Sequence, residues 1–239
     1  MGVEQDVKST AGKAPGNYDA VILDLDGTVA DPAGAITYGM ARALEQCGLP
    51  VPSEEELENL VGPSLFYGFS SLDGVDADMA DKLVKEYRAW YWNEGLNIAR
   101  AYDGMEAFIK DAHEHGIKVA LATSKPIVPA TMIINNLGLA PFFTTLHGAE
   151  MDESVIRSHG PGKLRIVEAA LDALGTEPER TVMVGDRHFD LDAGNELGLV
   201  TVGVKWGFAP EGELEASHPD AIVTTAAELR DMLIPAYSS

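Results

Sequence analysis

Two hydrophobic rhythms alternate along the chain. Short aliphatic runs, of which Val21-Ile22-Leu23 is the first, predict strands buried on both faces. Further strands are expected over Ile117 to Thr123, around Thr145-Leu146-His147, and over Thr181 to Val184, Val200 to Val204 and Ala221 to Val223. Between them the apolar residues recur at helical spacing. Met105, Phe108, Ile109 and Ala112 form one such stripe, closed by Gly116, and Pro129 to Leu137 forms another, closed by Gly138. Lys163 to Leu174 reads as helix with Gly175 after it, a further helix runs to Gly198, and Thr225-Ala226-Ala227-Glu228 opens the last one.

Strands alternating with helices imply right-handed crossovers and a parallel sheet in a three-layer α/β core. One block interrupts this rhythm. After Thr28, Ile36, Met40, Leu44 and Cys47 follow helical spacing up to Gly48. Ser53 and Glu56 then form a capping-box signal, Leu57, Leu60 and Val61 give that helix its apolar side, and Gly62-Pro63 stops it. Met79, Leu83, Tyr87 and Trp90 mark a longer helix. The expected organisation is therefore a core from residues 18–30 and 102–239, with a helical cap, free of strands, from residues 31–101. An insertion at that point hangs over the carboxyl end of the first strand. Residues 1–17 mix Gly, Lys, Ser, Pro and acids without period and are expected to be a disordered lead-in.

Composition narrows the partners. The net charge of −21 argues against a nucleic-acid partner and against an anionic lipid surface. A phosphorylated substrate then needs local rescue by a cation, a lysine or backbone N–H groups. Cys47 is the single cysteine, so an intrachain disulfide is excluded, and a buried inert thiol is expected there. With no apolar run long enough to span a bilayer and no signal-peptide core, the chain reads as cytoplasmic.

The candidate chemistry sits at the strand ends. The first strand is followed by Asp24 and Asp26, expected to point to one side, and then by Gly27 and Thr28. Two more strands end in Thr123-Ser124 and in Asp186 and Asp190. In a parallel sheet these ends share one edge, where ligands bind. Carboxylates this close repel unless a cation sits among them. An oxygen-rich set suits a hard cation, best Mg²⁺, and the six histidines show no zinc-ligand spacing.

Asp24-Leu25-Asp26-Gly27-Thr28, Thr123, Lys163 and Gly185-Asp186-x-x-x-Asp190 resemble, in order and spacing, the four motifs of the haloacid dehalogenase superfamily. The resemblance covers the chain after Asn17, and the insertion after the first motif resembles that superfamily's class 1 helical cap. Leu121 to Pro126 and the Gly62-Pro63 loop are similar to its phosphoglycolate phosphatase-like branch, which includes nucleotidase-like enzymes. The resemblance implies a Rossmann-like core and a Mg²⁺-dependent phosphatase for a small phosphorylated metabolite. It implies Asp24 as nucleophile and Asp26 as acid and base, with Mg²⁺ held by Asp24, Asp186 and the backbone carbonyl of Asp26. It further implies phosphate contacts from Thr123, Ser124 and Lys163, and a supporting role for Asp190 behind the metal ligands. A nucleotidase-like phosphatase, or a sugar phosphomutase using the same residues, fits the same motifs.

Several positions keep two readings. Thr28 either caps its turn or meets phosphate, and Ser124 either contacts phosphate or only turns the chain. Arg157 and Arg165 compete with Lys163 as the cation. Lys125 and Arg187 are equally placed for surface pairing and for substrate contact, and His188 is expected to be an exposed loop residue. Arg42, Arg88 and Arg100 are the cap-region cations for a second anionic group. Tyr67, Trp90, Tyr91 and Trp92 are expected mainly to pack the cap core. The oligomeric state is not legible.

Overall fold

The computed structural model describes residues 18–32, 34–62, 64–150 and 162–234. The lead-in expected over residues 1–17 and the competing cation Arg157 lie outside the described residues. Strand β1 (Ala20–Leu23) is the central element. Its four residues are buried because they serve two cores at once. Val21 and Leu23 face one hydrophobic cluster, whereas Ala20 and Ile22 face the other. That double burial is why the segment has no polar alternation.

Further parallel strands extend the sheet, and helices cover its faces. Among the described residues these are β4 (Lys118–Pro126), β5 (Thr145–Ala149), β6 (Thr181–Gly185), β7 (Val200–Val204) and β8 (Ala221–Val223), in the order β5-β4-β1-β6-β7-β8. The strands after β1 are joined through helices α5 (Met105–Glu114), α6 (Ile127–Asn136), α7 (Lys163–Leu174) and α8 (His188–Glu196). The short α9 (Glu213–Ala216) and α10 (Ala226–Leu233) follow. Thr225 caps α10 through the Glu228 amide, the bond its sequence position called for.

Register positions the site. Leu23 of β1 is level with Leu121 of β4 and with Val184 of β6. Counting two residues onward from Leu121 and Val184 reaches Thr123 and Asp186, and Asp24 is one residue beyond Leu23. Offsets of only one or two residues from one aligned row thus bring the three strand ends to a single edge. The Asp24 amide donates to Val184 O at 3.1 Å, fixing that level.

The segment between Asp31 and Arg100 carries α1 (Ala35–Gln46), α2 (Glu54–Asn59), α3 (Leu65–Ser70) and α4 (Ala77–Tyr91). The capping box of α2 forms in full, with Ser53 and Glu56 bonded reciprocally. Two features differ from expectation. The segment is flanked by a two-residue antiparallel pair, β2 (Ala30–Asp31) with β3 (Arg100–Ala101), so its two connections to the core are zipped together. The second is α3, whose Leu-Phe-Tyr-Gly-Phe-Ser sequence carries little helix propensity. Burial of Phe66 and Phe69 in the cluster shared with α1 and α4 selects the helix instead.

Candidate active site

The chain leaves the sheet at Leu23, and Asp24 sits one residue past it, 6% exposed. Gly27 reverses the path with φ +86°, and a Cβ there would overlap the Asp186 carboxylate. The turn returns to the strand edge through amides of Thr28, Val29 and Ala30 bonded to Leu25 O. Thr28, fully buried, donates its hydroxyl to Asp186 Oδ1 at 3.0 Å. Phe208 N donates to Asp186 Oδ2 at 2.8 Å, so both oxygens of that carboxylate are held. Gly185 lies against Asp190 so closely that any side chain there would displace the carboxylate.

Asp24, Asp186 and Asp190 each offer an oxygen, all within 4.8 Å of one another. A single ammonium group stands among them. Lys163 Nζ, at the first residue of α7, lies 2.9 Å from Asp24 Oδ1 and 2.6 Å from Asp190 Oδ1. It donates to Ala122 O at 2.7 Å. The contacts to the two carboxylates are ion pairs in distance but lack well-aimed hydrogen-bond geometry. Arg165, the alternative cation, is exposed.

Asp26 lines the same cleft as Asp24. Its Oδ2 accepts a 2.6 Å bond from Lys125 Nζ, and its side chain lies outside the carboxylate trio. Lys125 is buried rather than at the surface, and its ammonium sits over the Tyr91 ring at 4.9 Å. Tyr91 in turn stacks on Tyr87 at 5.1 Å. Arg187 is likewise buried, 5% exposed, and pairs with Glu213. Neither cation is at the surface, because each reaches across to the cap segment, a contact that linear spacing does not encode. His188 pairs with Asp192 at 3.0 Å on the exposed side of α8.

Charge in this site is crowded. Burial, with the charges of Asp24 and Asp190, pushes Asp186 well above the ordinary carboxylate range, against the pull of Phe208 N–H and Thr28. Burial also raises Asp190, to about 6, although Lys163 opposes it, and raises Asp26 against Lys125. Lys163 and Lys125 lose to desolvation but gain more from their carboxylates, so both ammonium groups end above their usual value.

A buried carboxylate trio with one lysine, in which Asp186 and Asp190 hold protons more tightly than usual, fits a hard divalent cation, which would supply the missing positive charge. A stability prediction follows from the sign of these shifts. A carboxyl raised in the fold keeps a proton that the unfolded chain has released. For Asp190 this makes the metal-free protein lose stability as pH rises from about 4, the unfolded value, to about 6. Asp186 and Asp26 add in the same direction. Without metal, thermal unfolding should therefore occur at a higher temperature at pH 5 than at pH 7.5. Added Mg²⁺ should raise Tm more at pH 7.5, where it does not compete with protons. Equal Mg²⁺ effects at both pH values would contradict the trio as the binding site.

A cleft lies between the strand ends and the helical segment that carries α1 to α4. Asp24, Asp26, Thr123, Ser124 and Lys125 form its core side. Thr123 is 2% exposed and its Oγ1 accepts from Lys125 N at 3.2 Å, placing the hydroxyl at the β4 bulge. The helical segment brings Leu60 to Gly62, Ser64 and Leu65, together with Met40, Tyr87, Arg88, Tyr91 and Trp92. The aromatic group is thus divided: Trp90 packs within the cap core, whereas Tyr91 and Trp92 reach the cleft. Of the cap-region arginines, Arg88 lines this cleft. Arg100 instead donates to the carbonyls of Asn97, Ile98 and Ala99 beside the β2–β3 pair.

The family model for haloacid dehalogenase-like hydrolases matches residues 21–204. A 5'-nucleotidase of Pseudomonas aeruginosa is 33% identical over 216 residues, 90% of this chain and 96% of its own length. The tyrosine-protein kinase PtkA of Mycobacterium tuberculosis is 33% identical over 228 residues, 94% of this chain and 75% of its own. Among solved structures, a predicted phosphatase from Clostridium acetobutylicum has a TM-score of 0.82 at 28% identity, covering 90% of this chain and 97% of that one. No helix among the described residues is long and apolar enough to cross a membrane.

Proposed function

The chain belongs to the haloacid dehalogenase-like hydrolases, and we propose that it is a Mg²⁺-dependent phosphatase acting on a small phosphomonoester through an aspartyl phosphate at Asp24. The observation that carries this reading is Asp24 at the cleft floor, beside Lys163 and two further buried carboxylates.

Asp24 attacks phosphorus and the ester oxygen departs with a proton from Asp26, whose raised proton affinity suits a general acid. Asp26 then takes a proton from water as that water attacks the phosphoryl group, returning Asp24 and releasing phosphate. Lys125 aims the Asp26 carboxyl, and Lys163 offsets charge on Asp24 and on the phosphoryl oxygens. Thr123 and Ser124 give the phosphoryl group hydrogen-bond partners at the β4 end. Asp24, Asp186 and the carbonyl of Asp26 would hold Mg²⁺, with Asp190 supporting Lys163, and the ion supplies charge neutralisation to the phosphate.

The cleft favours an organic group with an apolar or aromatic surface, since Met40, Leu65, Tyr87, Tyr91 and Trp92 line it. The 5'-nucleotidase relative points the same way. Arg88 supports a second reading in which the substrate carries another anion, as phosphoglycolate does. The test is phosphate release from nucleoside monophosphates, phosphoglycolate, sugar phosphates and pyridoxal phosphate, with Mg²⁺ and with chelator. We expect Mg²⁺-dependent release led by a nucleoside monophosphate. Preference for phosphoglycolate would select the Arg88 reading, and release unaffected by chelator would overturn the metal assignment. The kinase relative motivates one added arm, transfer to a hydroxyl acceptor in place of water, which also detects a phosphomutase.

A further inference from the structure

The residue after Asp186 faces two ways: its backbone N–H donates to Asp190 Oδ2 at 3.2 Å, while its side chain reaches the segment at Asn59 to Val61. The Arg187 guanidinium is held on one side by Glu213, with Nε donating to Oε1 at 2.7 Å and Nη2 to Oε2 at 3.2 Å. Glu213 Oε1 also accepts from His188 N at 3.0 Å, so this carboxylate is fixed to the start of α8. On its other side the guanidinium crosses to the cap. Nη1 donates to Val61 O, and both terminal nitrogens reach Asn59 O at 3.4–3.5 Å. These are carbonyls at and just beyond the end of α2, which have no partner within the helix, and a cation is favoured there. The next residue, Gly62, has φ +127°, and a Cβ on it would press on Arg187 Nη1 at 3.1 Å and on Phe189 at 3.4 Å.

The segment so held is the wall of the cleft: Leu60, Val61, Gly62, Ser64 and Leu65 line it. Arg187 itself does not line it. A bidentate ion pair, buried on its Arg187 side, that spends its remaining donors on carbonyls of the opposing segment has the form of a latch. It joins the turn at Asp186 and Arg187, just before α8, to that wall.

We propose that the Arg187–Glu213 pair latches the cap segment 59–62 over the cleft, making Arg187 a positioning residue for substrates whose organic part reaches the cap. This deepens the phosphatase reading and rests on it for its kinetic consequence, but the latch itself is measurable without turnover. Breaking it frees the wall while leaving Asp24, Asp26, Lys163 and Asp186 in place. A substrate that contacts the wall loses affinity, whereas a compact donor such as acetyl phosphate does not.

The experiment is amide hydrogen exchange of the full chain for wild type, Arg187→Met and Glu213→Gln, with steady-state kinetics alongside. Exchange over residues 60–65 should accelerate about tenfold or more in Arg187→Met, and by less in Glu213→Gln, while β1 and β6 keep their protection. KM for the preferred ester should rise about tenfold while kcat/KM for acetyl phosphate changes less than about threefold. Unchanged exchange over 60–65 in either folded variant overturns the latch. So does equal loss of protection in β1 and β6, or an equal kinetic loss on both substrates, which is what a merely structural role gives. If Arg187→Met does not fold, Glu213→Gln decides by the same criteria. Local acceleration in a protein that hydrolyses nothing would retain the latch and overturn the phosphatase reading.

Discussion

Asp24→Asn is expected to lower phosphate release by at least about a thousandfold while leaving the protein folded. An amide oxygen is a far weaker nucleophile than a carboxylate, and nothing else in the cleft stands ready to replace it. Thr123 and Ser124 have hydroxyls without an adjacent base, and the Asp26 carboxyl is engaged by Lys125. Asp24 is one of three buried carboxylates facing a single ammonium group, so removing its charge relieves repulsion. Metal-free Tm should stay level or rise. Loss of activity with retained Tm separates chemistry from unfolding, and activity within tenfold of wild type would remove Asp24 from the reaction.

Lys163→Met should have the opposite effect on stability and a comparable direction on rate. The lysine is 5% exposed and is the positive charge between Asp24 and Asp190. Taking one partner from a buried ion network leaves charge uncompensated, at a cost of about 3–5 kcal/mol. Methionine keeps most of the volume, which limits the cavity contribution. The penalty should be larger at pH 7.5 than at pH 5, because Asp190, raised to about 6, takes up a proton at the lower pH and neutralises itself. Activity should fall by roughly a hundredfold through lost charge stabilisation of the phosphoryl group. Urea unfolding in chelator at the two pH values, with kcat/KM in Mg²⁺, checks both. A pH-independent penalty would contradict the arrangement of charges around Lys163.

These effects show which parts of the molecule the sequence encodes locally. The strands β1, β6 and β7 are legible because both faces are buried, leaving aliphatic runs that no amphipathic helix would carry. The strand-end residues are legible for a related reason: a polar group directly after a doubly buried strand has few structural uses. Convergence of Asp24, Thr123 and Asp186 follows from sheet register, which parallel topology implies before any coordinate is known. Lys163 was separable from Arg165 only by burial, since either lysine or arginine at the start of α7 fits the pattern.

What the sequence hid depends on contacts between distant segments. Lys125 meets Asp26 across 99 residues, and Arg187 meets Val61 across 126, so no local pattern announces either. A faint signal existed for both, in that each cation directly follows a site segment in a strongly acidic chain. Helix α3 was hidden because burial of Phe66 and Phe69 overrides poor propensity. The β2–β3 pair was hidden because two-residue strands have no period to detect. The division of the cap aromatics, with Trp90 inside and Trp92 at the cleft, turns on where α4 ends relative to the wall, and periodicity fixes helix ends poorly.

Passage of the phosphoryl group through Asp24 can be read by chemical trapping during turnover. The enzyme, working on its best substrate with Mg²⁺, is quenched in acid, reduced with borohydride and read by peptide mass spectrometry. An acyl phosphate at Asp24 is converted to homoserine at that position, and the account predicts this in wild type and its absence in Asp24→Asn. Phosphate release with no modified Asp24, or with the modification on another carboxylate, would contradict it.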